Sequence, residues 1–103
     1  AILGAGPMGC EFATVFSRLG SEVHLFDAAE RVLPQEYPRA SELVENALKD
    51  LGVTLYLGSE IKKISTTQGG KRISTDRAEL VVQEVLLALG RRHNTDGLGL
   101  DRT

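Results

Sequence analysis

The run Gly4-Ala5-Gly6-Pro7-Met8-Gly9 constrains this chain more than any other stretch. Apolar Ala1-Ile2-Leu3 precedes it, and Met8, Phe12, Val15, Phe16 and Leu19 follow at helical spacing until Gly20 supplies a stop. A strand, a tight turn and a helix are the natural outcome. Gly4 permits the turn, Gly6 lets backbone come close to a pyrophosphate, and Gly9 lets the helix pack near the strand. The helix N-terminus then offers unpaired N–H groups and a partial positive charge to phosphates. A GxGxxG run alone is weak, because glycine-rich turns occur widely; its context carries the weight. Asp27 ends the next apolar segment, where a carboxylate can accept hydrogen bonds from both hydroxyls of an adenosine ribose. A plain glycine turn with Asp27 acting as a cap is the alternative on these residues alone.

The remaining pattern extends this start. Glu22 to Asp27 is a short apolar strand, and Ala28 to Pro38 a loop carrying two prolines. A second helix over about Arg39 to Leu51 places Leu43, Val44, Ala47, Leu48 and Leu51 on one face, with Gly52 as its stop. Val53, Leu55 and Leu57 alternate as a strand does. The order β-α-β-α-β argues for a parallel sheet with right-handed crossovers. Glu60 to Thr66, Lys71 to Thr75 and Glu79 to Val82 are too closely spaced for crossover helices and predict an antiparallel meander. Val85 to Leu89, ending in Gly90, suits a central parallel strand buried on both faces. Arg91 to Thr103 reads as loop. The fold class is thus α/β: a Rossmann-like parallel sheet with two helices and an inserted antiparallel β-meander.

Composition narrows the partners. At 103 residues the chain is one domain, and a net charge of −2 gives no electrostatic reason to expect nucleic acid or an anionic membrane. No apolar run approaches the roughly 20 residues of a membrane helix. The single cysteine excludes an internal disulfide and a thiolate metal site, and fits a reducing setting, cytoplasmic or organelle-matrix, with the cytoplasm expected. No metal site is expected. The abrupt opening on Ala1-Ile2-Leu3 reads as an excerpt of a larger chain.

Asp27 also bears on the choice of nucleotide. A carboxylate facing a 2′-phosphate is a like-charge contact, so NAD is favoured over NADP. Arg31, the only nearby cation, reads as a solvated loop residue. Glu11 admits two accounts: a carboxylate favoured near a helix N-terminus, or a polar contact near a nicotinamide. Cys10 reads as a small residue against the sheet. His24 and His93 have neither metal-ligand spacing nor a nucleophile partner and read as structural.

Three blocks, GAGPMGCEFATVFSRLGSEVHLFDAAERVLP, LGVTLYLGSEIKKI and VLLALGRRHNTDGLGLD, resemble the NAD-binding domain of FAD-dependent pyridine nucleotide–disulfide oxidoreductases, dihydrolipoamide dehydrogenase-like members in particular. The resemblance runs over nearly the whole chain, so residues 1–103 are expected to form an NAD(H)-binding domain of a flavoenzyme. It implies that Gly4, Ala5, Gly6, Pro7, Met8, Gly9, Cys10 and Glu11 wrap the pyrophosphate and reach toward the nicotinamide. It implies that Asp27 takes the ribose, Ile61 lies against the adenine, and Gly90 approaches the nicotinamide ribose and the flavin. Pro7, often Tyr, Ile or Val in the family, and His93, usually proline, depart from the pattern. The family's flavin, redox cysteine pair and His–Glu pair have no counterpart here. No catalytic residue is therefore expected in this stretch; FAD is held by other parts of the enzyme, and any homodimer forms through other regions. Two other functions fit the same residues: a non-catalytic NAD-sensing module, or an FAD-binding Rossmann domain of an oxidase.

Overall fold

The computed structural model describes residues 1–99. Its core is a four-stranded parallel sheet in the order β3-β2-β1-β7. The strands are β1 (Ile2–Leu3), β2 (His24–Phe26), β3 (Thr54–Tyr56) and β7 (Leu86–Leu87). Ile2 pairs with Leu25 on one side and Leu86 on the other. Helices α1 (Pro7–Arg18) and α2 (Pro38–Asp50) connect the first three strands. An antiparallel sheet, β4 (Ile61–Thr67), β5 (Gly70–Thr75) and β6 (Glu79–Val82), is inserted before β7. The α/β architecture and the meander follow the sequence pattern, with segment ends moved by one or two residues.

Alternation along the strands builds two cores from one sheet. Ile2 and Leu25 point to the helical side, where they pack with Ala13, Val32, Leu48 and Val53. Leu3 and Phe26, one residue later, point to the meander and meet Ile73 and Val82. Successive side chains of a strand face opposite ways, so a sheet covered on both faces needs consecutive apolar residues. Burying side chains such as Leu25 and Phe26 contributes about 1.5–3 kcal/mol each. Tyr56 stacks on Phe26 at 4.3 Å between ring centroids and extends the second core.

In both helices the buried stripe overlaps only in part with the one their apolar periodicity predicts. Under α1 lie Gly9, Cys10 and Ala13, whereas Val15 and Leu19 are exposed. The helix sits so close to β1 that only small residues fit beneath it, and Phe12 and Phe16 stack at its flank. A Cβ on Gly9 would overlap the Gly4 carbonyl oxygen. On α2 the buried positions are Ser41 and Leu48, with Val44 and Leu51 packed beside them; Leu43 and Ala47 face outward.

The segment Val85 to Leu89 is parallel to β1 but is not central. Among the described residues β7 pairs only with β1 and stands at the sheet edge, with Leu87 and Leu89 exposed. At that edge the apolar run sets Val85, Leu86 and Ala88 against the cores and leaves Leu87 and Leu89 outside them. Arg91 to Gly99 is exposed and outside regular structure, and Leu100 to Thr103 of the expected loop lie outside the described residues. Among the described residues no helix is long and apolar enough to cross a membrane.

The Gly9 contact yields a stability test. Gly9→Val must push α1 away from the turn, and overpacking of this kind costs about 1–3 kcal/mol. Chemical denaturation should show a lower midpoint with the slope unchanged; an unchanged midpoint would mean that helix and turn are not in the contact described.

Candidate nucleotide-binding site

A cavity of about 1020 Å³ opens at the carboxyl ends of β1, β2 and β7. The connections turn opposite ways on either side of β1: α1 leads to β2, whereas the chain returns through the meander to β7. Such a switch point leaves a crevice between the outgoing loops, the usual ligand position in open α/β sheets. Five segments wall it: the glycine turn, the end of β2 at Asp27 and Ala28, the loop Leu33 to Glu36, Ser59 to Ile61, and Leu86 to Arg91.

The three glycines have separable reasons. Gly4 has φ +105°, and a Cβ there would overlap the Ala88 carbonyl oxygen. Gly9 is excluded from any larger side chain by Gly4. Around Gly6, apart from its immediate chain neighbours, no atom of the described residues lies within 4 Å of where a Cβ would stand. Gly6 lines the cavity and is the N-cap of α1, so a side chain there would project into the open cavity rather than into protein. Among the described residues no side chain caps this helix, and its first turn holds no acidic residue. Its leading N–H groups are therefore left for an external acceptor. Pro7, at the first helical position, removes one N–H that would have been unpaired anyway.

Asp27 is held by two backbone donors. Its Oδ2 accepts from the Ala5 N–H at 2.7 Å, and its Oδ1 from the Ala29 N–H at 2.8 Å. Each carboxylate oxygen can accept a second bond, and the half-buried side chain lines the cavity. Cap and ligand acceptor, alternatives on the sequence, are compatible in this geometry.

Of the other expected site residues, Pro7, Met8, Ile61 and Gly90 also line the cavity. Ala5, Gly9 and Cys10 are buried behind the turn and do not line it. Glu11 is exposed and outside the lining. Because α1 begins at Pro7, Glu11 falls in the second turn, where little of the helix-end charge acts. Cys10 donates its thiol to the Ala5 carbonyl at 3.4 Å. Burial first, then the charges of Asp27 and Glu11, push that thiol up to about 11. His24 bridges Glu22 and the Tyr56 hydroxyl on the sheet, away from the cavity, and His93 is exposed.

Two features were not legible in the sequence. The loop after Asp27 walls the cavity through Leu33, Pro34, Gln35 and Glu36; its prolines marked a loop but not its position. Arg31 is half-buried rather than solvated, and its Nη2 donates to the carbonyls of Pro34 and Glu36 at 3.0 Å each.

A glycine-turn cavity at the switch point of a parallel sheet is the arrangement of a Rossmann-like α/β fold. The family model for pyridine nucleotide-disulphide oxidoreductases matches residues 1–103, and the chain belongs to that family. Dihydrolipoyl dehydrogenase of Chlamydia muridarum is 33% identical over 102 residues, 99% of this chain and 22% of the relative. The NADH-bound water-forming NADH oxidase of Lactobacillus brevis is 34% identical, with a TM-score of 0.85 over 92% of this chain and 21% of the oxidase. Its engineered, NADPH-bound form is 29% identical, with a TM-score of 0.87 over the same shares. That form carries five substitutions: Gly to Ala; then, eighteen residues on, consecutive Asp to Ala, Ala to Arg and Met to Ser; and, five further, Pro to Arg. The chain spans about a fifth of the length of the relatives it matches.

The Cys10 environment predicts a pH dependence. A folded thiol near 11, against 9.0 in its ordinary setting, favours the native state fully below pH 9. That contribution is lost as pH rises from 9 through 11, because the unfolded thiol ionises first. Denaturation midpoints below pH 9 and near pH 11 should fall more for the native sequence than for Cys10→Ala; equal falls would refute the burial argument.

Proposed function

We propose that residues 1–103 are the NAD(H)-binding domain of a flavoprotein disulfide oxidoreductase of the dihydrolipoamide dehydrogenase type. The observation that carries this reading is Gly6, where the helix N-terminus and the missing Cβ face an open cavity flanked by Asp27. NAD(H), when bound, supplies the hydride exchanged with an FAD held by other parts of the enzyme. Within this stretch the work is binding and orientation. The cavity walls carry the carboxylates of Asp27, Glu36 and Glu60 and the cation Arg91. With side chains so biased toward negative charge, the pyrophosphate is met chiefly by backbone N–H groups of the turn. The two free acceptor sites on Asp27 take the ribose hydroxyls, Ile61 covers the adenine, and Gly90 borders the nicotinamide end.

Selectivity for NAD rests on Asp27. A 2′-phosphate at about 4 Å from this carboxylate is repelled by on the order of 4 kcal/mol at an effective dielectric of about 20. The five altered positions of the NADPH-bound oxidase support this assignment. Their spacing recurs here as Gly9, Asp27-Ala28-Ala29 and Pro34. In that relative the aspartate is lost and two arginines are introduced, removing repulsion and adding attraction.

The test uses the full-length enzyme. Asp27→Ala should weaken NADH binding by roughly 1.5–3 kcal/mol, the range for hydrogen bonds to a charged group. It should also lower stability, because the buried Ala5 N–H loses its acceptor. Asp27→Ala combined with Ala28→Arg should shift preference to NADPH, read from the dissociation constants of both nucleotides. Capping alone predicts lost stability with an unaltered NADH to NADPH ratio, and that result would end the selectivity assignment. Calorimetric binding of FAD, but not NADH, to this domain would favour the FAD-binding alternative instead.

A further inference from the structure

The loop between β2 and α2 is held in one shape by an unusual set of bonds. Leu33 has φ +47°, the one non-glycine residue with positive φ among the described residues. A leucine in that region costs on the order of 1 kcal/mol and persists only where its surroundings impose it. Its N–H donates to the Ala5 carbonyl at 2.8 Å, and its carbonyl accepts from the buried Ser41 hydroxyl at 3.1 Å and the Glu36 N–H at 2.9 Å. Across the loop, one nitrogen of the Arg31 guanidinium donates to the Pro34 and Glu36 carbonyls. Among the described residues Arg31 makes no ion pair. Its charge is spent on backbone, and the residues it ties, Pro34 to Glu36, form one wall of the cavity.

We propose that Arg31 is a positioning residue for the adenosine half of the dinucleotide, acting through the loop wall rather than by contact with the ligand. The proposal rests on the reading of Asp27 as the ribose acceptor, since the loop leaves the sheet there. Guanidinium bonds to two carbonyls fix the loop before ligand arrives, so binding does not have to order it. Without them Leu33 has less reason to hold its left-handed conformation, and Pro34 to Glu36 lose their place. The same bonds make Arg31 unavailable to a 2′-phosphate, so a basic residue close to Asp27 in sequence does not confer NADP binding.

Kinetics of the full-length enzyme with NADH and with reduced nicotinamide mononucleotide, which lacks the adenosine half, test this. Arg31→Met keeps the aliphatic stem and removes the donors. It should raise the KM and the dissociation constant for NADH by about tenfold or more with little change in kcat. The KM for the mononucleotide should stay unchanged. Arg31→Lys, with donors on a flexible stem, should fall between and keeps the comparison open if Arg31→Met does not fold. NADH affinity unchanged in both variants would overturn the proposal, as would equal losses for NADH and the mononucleotide. If instead Asp27→Ala leaves NADH affinity unaltered, the ribose assignment itself fails and this proposal with it.

Discussion

The peptide groups flanking Ala5 tie together the three segments on which the cavity depends. Its N–H is bonded to Asp27, and its carbonyl accepts from Leu33 and from the Cys10 thiol. Ala5 is fully buried, so each bond replaces water that cannot reach it. An unpaired buried group of this kind costs about 1–3 kcal/mol. The glycine turn, the end of β2 and the following loop consequently hold one arrangement. Groups that line the cavity and groups that hold the fold are therefore not separate sets. Asp27 faces the cavity because the turn needs its carboxylate, and the turn keeps its shape because Asp27 is there.

Close approach is the second constraint. Gly4 lies against Ala88 of the neighbouring chain segment, and Gly9 lies against Gly4. Helix, turn and sheet edge form a stack in which no Cβ can be added. That stack aims the N-terminus of α1 at the cavity and makes Cys10 an interior group. Its thiol stays protonated near neutral pH, because burial beside two carboxylates opposes a further negative charge. On the opposite face the meander packs against Leu3 and Phe26, and brings Ile61 to the cavity rim.

Much of the fold was legible because its signals are local. Glycine stops, strand-sized apolar runs and short spacing after Gly58 each act within a few residues. The misreadings came from non-local facts. Val15 and Leu19 have the right periodicity yet stay exposed, because the close approach of α1 to the turn and sheet, permitted by Gly4 and Gly9, selects which stripe is buried; Leu43 on α2 is exposed as well. Leu87 and Leu89 look like interior residues, but edge position follows from strand order, which hydrophobicity does not encode.

What the sequence by itself determined is the chain's local grammar: a strand, a glycine turn and a helix, an acidic residue closing the next strand, and a meander inserted before the last. Those features arise from backbone freedom at glycine and from periodicity, and both are properties of neighbouring residues. Only the tertiary structure decided how Asp27 divides its oxygens between backbone and cavity, or that Arg31 serves carbonyls rather than solvent. The left-handed turn at Leu33 was equally invisible, since leucine has no local preference for it. Each of these depends on which distant donor or acceptor arrives within about 3 Å, the range in which a hydrogen bond forms, and folding alone brings those partners together.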